Sequence, residues 1–195
     1  YAVIWLAATV LSAFFTSRCI RYASQLGALD QPENEAHKTH KNATPATGGI
    51  AMFFALMLVI CSAIVFAFLA KGKLPADFDF IYQGIKSISK TLVVYLLGAS
   101  AITWLGFSDD RKPMRAGKKF LFQFLIAALT AALGPKLTLG ISNVFICWLI
   151  TSFWIMTVIN ALNFFDNMDG LAAGTCLIAT IFLLLIASYR EQYFV

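Results

Sequence analysis

Six long apolar runs separated by short polar stretches dominate the chain. They fall at residues 1–20, 48–70, 91–107, 119–134, 141–163 and 171–189. A helix needs about 20 apolar residues to cross a bilayer, within a range of about 17–25. The run at 119–134 is the shortest, and its ends are the least sharply marked. Spanning segments must satisfy their backbone polar groups internally, and long uninterrupted runs do this as helices. The pattern therefore predicts an all-α fold, a polytopic transmembrane helical bundle of about six spans forming a single integral membrane domain over 1–195. Nothing repeats, and no stretch is of low complexity.

Composition agrees. Of 195 residues 59% are hydrophobic, 18 are Phe and only 13% are charged, whereas soluble domains are nearer half apolar and a quarter charged. The net charge of +5 does not point to nucleic acid, because the cations sit in short connections where they orient helices and meet anionic lipid. Cys19, Cys61, Cys147 and Cys176 are scattered in or beside apolar runs with no CxxC spacing, so they read as small packing residues. The first run has no basic leader and no small-residue cleavage site, which marks a helix and not a signal peptide. The chain starts at Tyr1 inside one apolar run and ends at Val195 just after another. It is expected to be a fragment of a longer protein.

Parity orders the connections. With six spans, 21–47, 108–118 and 164–170 share one face of the membrane, and 71–90 and 135–140 share the other. The first face carries nine Lys and Arg: Arg18, Arg21, Lys38, Lys41, Arg111, Lys112, Arg115, Lys118 and Lys119. The second carries six: Lys71, Lys73, Lys86, Lys90, Lys136 and Arg190. The positive-inside rule puts the first face in the cytoplasm. The chemistry-bearing residues all belong to that face.

Three stretches there carry candidate chemistry. Asp109 and Asp110 follow an apolar run, and five Lys or Arg come within the next nine positions. Adjacent carboxylates repel, and a divalent cation relieves the repulsion; the bases suit phosphate. A solvated turn whose cations fix topology explains the same pattern equally well. The second stretch runs from His37, Lys38, His40 and Lys41 to Thr44, Thr47, Gly48 and Gly49, at the start of an apolar run. A helix N-terminus with glycines lets phosphate approach free N–H groups, although an ordinary capped helix start fits as well. The third is a ladder of Asn160, Asn163, Asp166 and Asp169, three apart. Its Asn residues suit a polar seam between packed helices. Its Asp residues suit a seam less well, because a carboxylate beside hydrocarbon needs a cation or a proton.

Taken together, these pieces resemble the polyprenyl-phosphate N-acetylhexosamine-1-phosphate transferase superfamily (glycosyltransferase family 4). It includes the bacterial undecaprenyl-phosphate GlcNAc-1-phosphate transferases and the phospho-MurNAc-pentapeptide transferase of peptidoglycan synthesis. The matching residues, in order, are Asp30-Gln-Pro with Lys38 and His40; Thr44-Pro-Ala-Thr-Gly-Gly49; Gly106-Phe-Ser-Asp-Asp110 with Lys118, Phe120 and Gln123; and Asn160 through Leu171. The resemblance implies transfer of an amino-sugar-1-phosphate from a UDP-amino sugar to a polyprenyl phosphate lipid. UMP is released, and Mg2+ (or Mn2+) is the cofactor. It implies that Asp109 and Asp110 are catalytic, one as base and one ordering the metal. Asp110, Asp166 and Asp169 are the implied metal ligands. Lys38, His40, Thr44, Gly48, Gly49, Lys118, Asn160, Asn163 and Asp166 are the implied substrate contacts. The implied location is the inner (plasma) membrane, and a homodimer is compatible with it.

The subfamily signals conflict. The short interval from Asp110 to Lys118 is similar to the GlcNAc-1-phosphate branch, and Thr44-Pro-Ala-Thr-Gly-Gly49 to the peptidoglycan branch. Asn167 stands where many members have Gly. The superfamily usually has ten or eleven spans, with a further Asp and a His motif in later loops, so these 195 residues alone are expected to be inactive. The readings from other classes are an ion-coupled transporter and an inactive truncated homologue. A transporter would place acids near mid-bilayer, whereas here they sit at segment ends. The CDP-alcohol phosphotransferase pattern is set aside because Asp169-Gly-Leu-Ala-Ala does not continue to its Arg.

Overall fold

The computed structural model describes residues 2–25, 29–30, 44–45, 47–71, 79–166, 168 and 170–190. Six helices account for nearly all of them: α1 (Ala2–Tyr22), α2 (Gly48–Ala70), α3 (Asp79–Arg111), α4 (Ala116–Leu133), α5 (Val144–Phe165) and α6 (Leu171–Tyr189). All six are long and apolar enough to cross a membrane, so the chain is a multi-span membrane protein. A two-residue antiparallel ladder interrupts the helical pattern. In it β1 (Leu29–Asp30) pairs with β2 (Thr44–Pro45), bringing Leu29 opposite Pro45 and Asp30 opposite Thr44.

The apolar run at 91–107 is the middle of a longer helix. The helix α3 has 33 residues, which at 1.5 Å per residue is about 50 Å, against about 30 Å of hydrocarbon. Its first part was expected to belong to the 71–90 loop. Ile81, Ile85, Ile88 and Val93 recur near helical spacing, with Lys86, Ser87 and Lys90 between them. That pattern is amphipathic and not loop-like. At the other end the helix runs on through Asp109 and Asp110 to Arg111. The expected 108–118 loop shrinks to residues 112–115.

The chain divides into two compact units, residues 1–70 with 96–122, and residues 71–95 with 123–195. In the first, α1 lies along α2. The buried face of α2 is Ala51, Ala55, Val59 and Ala67, small side chains a turn or more apart that let helix backbones approach closely. Phe15 and Phe54 meet at 6.5 Å between ring centroids. In the second unit, Ala127, Ala128 and Ala131 of α4 are buried, as are Cys147, Thr151 and Ser152 of α5. The Trp148 indole N–H donates to Ala128 O at 2.9 Å, and the rings of Phe124 and Phe153 are 5.6 Å apart. Large apolar side chains such as Trp104, Leu129, Phe145 and Leu183 face outward. Such an inside-out distribution suits lipid, because hydrocarbon gives no hydrophobic reason to bury Leu or Phe and rewards close backbone packing.

The α4–α5 hairpin is locked by side chains that bond backbone groups. Asn143 caps α5, its Oδ1 accepting from Phe145 N and Ile146 N. The Thr151 hydroxyl accepts from Leu137 N–H at 2.9 Å and donates to Cys147 O, so the turn is tied to the body of the next helix. At Gly134 an added Cβ would lie 2.9 Å from Thr130 O, so the end of α4 leaves no room for a side chain.

Candidate functional site

The acidic pair sits where α3 stops. Pro113 has no N–H, and it disfavours helical backbone in the residue before it. The last helical bond is therefore Lys112 N–H to Ser108 O, at 3.1 Å. Asp109 then holds the turn together. Its Oδ1 accepts from Met114 N–H at 2.8 Å, and its Oδ2 lies 2.7 Å from Lys119 Nζ on α4. Their side chains are 16% and 27% exposed, so the pair is partly shielded from water. Asp110, the next residue on the helix, is exposed.

The two adjacent lysines of α4 therefore differ. Lys119 faces Asp109. Lys118, the lysine singled out from sequence, is exposed, and its ammonium lies 5.8 Å from the Phe122 ring centroid. Nothing local in Lys118-Lys119 tells the two apart. Each has an apolar or polar residue four positions on, Phe122 for Lys118 and Gln123 for Lys119, so only the register of α4 decides which lysine meets Asp109. Lys119 is therefore the residue that sequence reasoning missed.

On another side of α3, Trp104, Phe107, Ser108, Arg111 and Lys112 line an open hollow of about 300 Å3. The Arg111 guanidinium carbon lies 5.6 Å from the Phe107 ring centroid. The Ser108 hydroxyl donates to Trp104 O.

At the start of α2, Thr47 O accepts from Ala51 N–H. The Thr47 side chain is 1% exposed, and its hydroxyl has no hydrogen-bond partner among the described residues. A Cβ added at Gly48 or Gly49 would meet nothing within 4 Å. Packing among the described residues thus does not require glycine at either position. Thr44 is placed by its backbone pairing with Asp30. Lys38 and His40 lie outside the described residues.

The Asn/Asp ladder belongs to the second unit. Asn160 Nδ2 donates to Gln123 Oε1 at 2.9 Å and to Met156 O at 2.8 Å, and Gln123 is only 3% exposed. Both amide hydrogens of Asn160 are thus used inside the bundle, as a polar seam would use them. Asn163 is exposed. Asp166 closes α5 as its C-cap and is also exposed. Gly170 follows with φ +78°, so the entry to α6 uses a left-handed backbone that glycine adopts without strain. Asn167 and Asp169 lie outside the described residues.

Among the described residues no three of His, Cys, Asp and Glu converge as a metal cage. Mg2+ does not need one, because it takes one or two carboxylates and completes its shell with water and substrate phosphate. Carboxylate oxygens are the donors that hard cations such as Mg2+ and Mn2+ take.

The sequence model of glycosyl transferase family 4 matches residues 92–195. That match runs through both Asp109–Asp110 and the Asn160–Asp169 ladder. The chain belongs to glycosyl transferase family 4.

Its relatives carry two kinds of name. It is 32% identical over 166 residues to a probable undecaprenyl-phosphate N-acetylglucosaminyl 1-phosphate transferase of Bacillus subtilis, covering 81% of this chain and 40% of that one. It is 29% identical to the decaprenyl-phosphate N-acetylglucosaminephosphotransferase of Mycobacterium tuberculosis, covering 92% and 43%. It is 27% identical to a phospho-N-acetylmuramoyl-pentapeptide-transferase of Bifidobacterium adolescentis, covering 93% and 56%. The chain thus spans about half the length of these relatives, or less. No solved structure matches it.

Proposed function

We propose that the full-length protein transfers an amino-sugar-1-phosphate, GlcNAc-1-phosphate in the first instance, from its UDP-sugar to undecaprenyl or another polyprenyl phosphate. This reaction would initiate synthesis of a cell-envelope polysaccharide. The observation that carries the reading is the Asp109–Asp110 pair at the end of a membrane-crossing helix, set among Arg111, Lys112 and Lys119, in a chain of this family. The lipid phosphate oxygen attacks the phosphorus that bears the sugar. A P–O–P bond forms to the lipid, the bond to the uridylate phosphate breaks, and UMP leaves with that oxygen.

Both reactants are anions, so the protein's task is positioning and charge neutralisation more than covalent chemistry. In this reading one carboxylate of the acidic pair accepts a proton from the lipid phosphate. Lys38, His40 and Lys118, with the α2 start at Thr44, Gly48 and Gly49, receive phosphate groups. Asn163 and Asp166 contact the nucleotide sugar, and Asn160 supports them from within the bundle. Asp110, Asp166 and Asp169 are the candidate ligands of Mg2+. When bound, the metal neutralises diphosphate charge. The excess of Lys and Arg on the first face supports a cytoplasmic site on the inner membrane.

A second reading, transfer of phospho-MurNAc-pentapeptide, is favoured by relatives of that name, two of which match more than nine tenths of this chain. Purified full-length protein decides between the two. UMP release is expected from UDP-GlcNAc only when polyprenyl phosphate and Mg2+ are both present. Release from UDP-MurNAc-pentapeptide instead would establish the second reading. Asp110→Asn is expected to lower turnover by about 100-fold or more, as loss of a charge-stabilising group does. Wild-type turnover in Asp110→Asn would remove Asp110 from the site.

A further inference from the structure

We propose that Lys119 is a positioning residue for the transfer, which fixes the Asp109 carboxylate at the end of α3; this role rests on the transferase reading above. Two donors of different kinds meet the two oxygens of Asp109. Met114 N–H takes Oδ1 at 2.8 Å and Lys119 Nζ takes Oδ2 at 2.7 Å. A carboxylate held at both oxygens has one orientation, whereas a carboxylate on a free side chain samples several rotamers. The bond from Met114 N–H to the Asp109 carboxylate closes the 109–114 turn, and Pro113 makes the turn obligatory. The lysine reaches back from the first full turn of α4. Asp109 thereby becomes the point where α3, the turn and α4 are joined.

The pair is also more than a surface ion pair. Exposed pairs of this type contribute little because water and side-chain entropy oppose them. Here the carboxylate side chain is 16% exposed and the lysine 27%, and the lysine's charge is already committed to the protein. A free phosphate-binding lysine would look like Lys118, one residue earlier, which is exposed and, among the described residues, has the Phe122 ring beside it. Of the two adjacent lysines, the register of α4 thus assigns one to the carboxylate and leaves the other facing solvent.

This division of labour makes a kinetic prediction. Removing Lys119 leaves the carboxylate in place chemically but lets it turn, so the loss falls on kcat. A lost phosphate contact would fall on KM for the lipid. Misplacement of a reacting group by about 1 Å costs on the order of 100-fold in rate. For the full-length protein in detergent, Lys119→Met is expected to lower kcat by about that factor, with KM for polyprenyl phosphate and UDP-sugar near wild type. Lys119→Arg keeps a charge and hydrogen-bond donors of similar reach, and is expected to recover most of the rate. Elution as a single species in size-exclusion chromatography checks that both variants fold. If Lys119→Met misfolds, Lys119→Gln takes its place, since it removes the charge but keeps a polar side chain, and the same split decides: a lowered kcat at near-normal lipid KM supports the role, and a raised lipid KM at full kcat contradicts it.

Three results overturn the proposal. One is an unchanged kcat in folded Lys119→Met. Another is a raised lipid KM at full kcat. The third is no difference between the Met and Arg variants. Absence of turnover in the wild type with every donor would overturn the transferase reading as well, and so is distinguishable from these.

Discussion

Asn160 shows how one residue can carry two readings until its partners are known. As part of a polar ladder at a membrane boundary it resembled a ligand contact. Its amide in fact gives both hydrogens to the protein, one across to the buried Gln123 and one back to Met156 O. Replacing Gln123 with Leu would leave one of those N–H groups unsatisfied. Interhelical hydrogen bonds in membranes are worth about 0.6 kcal/mol on average, and an orphaned buried donor costs about 1–3 kcal/mol. Gln123→Leu is therefore expected to lower stability by about 0.5–2 kcal/mol, read as a lower melting temperature in detergent. An unmoved melting temperature would return Asn160 to the ligand-contact role alone. At this scale the sequence showed which residues are polar and out of place. It did not show which hydrogen bond each makes, because that depends on the register of the facing helix. Lys119 is the same case, since only the start of α4 at Ala116 decides which of two neighbouring lysines meets Asp109.

At the scale of elements, apolar runs marked the helices and polar chemistry set their ends. The run beginning at Leu171 coincides with α6, which Gly170 opens as its N-cap. The run at 91–107 understated α3 by sixteen residues, sixteen being the difference between its 17 and the helix's 33. Hydropathy reports what lipid requires, whereas helix continuity also follows amphipathic spacing and the position of the next Pro or Gly. The residues before Lys90 satisfy the second condition and not the first. The β1–β2 ladder was not legible at all, because two-residue strands have no periodicity to read. The α5–α6 turn carries a specific expectation. Gly170 has φ +78° and open space around it, so a methyl group there meets no neighbour but must adopt left-handed backbone. Gly170→Ala is expected to destabilise the protein by about 1 kcal/mol through backbone strain alone. If it melts as wild type does, the turn has an alternative path into α6.

At the scale of the whole molecule, membership of glycosyl transferase family 4 and six membrane-crossing helices follow from different observations, a sequence match over 92–195 and the lengths of apolar helices. The bundle was readable because lipid removes most other options for a chain this apolar. The sidedness of its connections is a stronger claim, and it rests on charge counts. Single cysteines in a full-length background without Cys19, Cys61, Cys147 and Cys176 test it directly. Arg111→Cys and Asp166→Cys are expected to react with an impermeant thiol reagent from the cytoplasmic side, and Leu139→Cys from the opposite side. Labelling of Arg111→Cys and Leu139→Cys from one side would contradict the six-span parity.

The central claim is that the protein moves a phosphorylated sugar, not a sugar alone. Radioactive phosphorus placed in the sugar-bearing phosphate of UDP-GlcNAc follows that claim to one atom. With full-length protein, polyprenyl phosphate and Mg2+, the label is expected to pass into the lipid fraction while unlabelled UMP is released. Label remaining in a released nucleoside diphosphate, with sugar alone on the lipid, would contradict it.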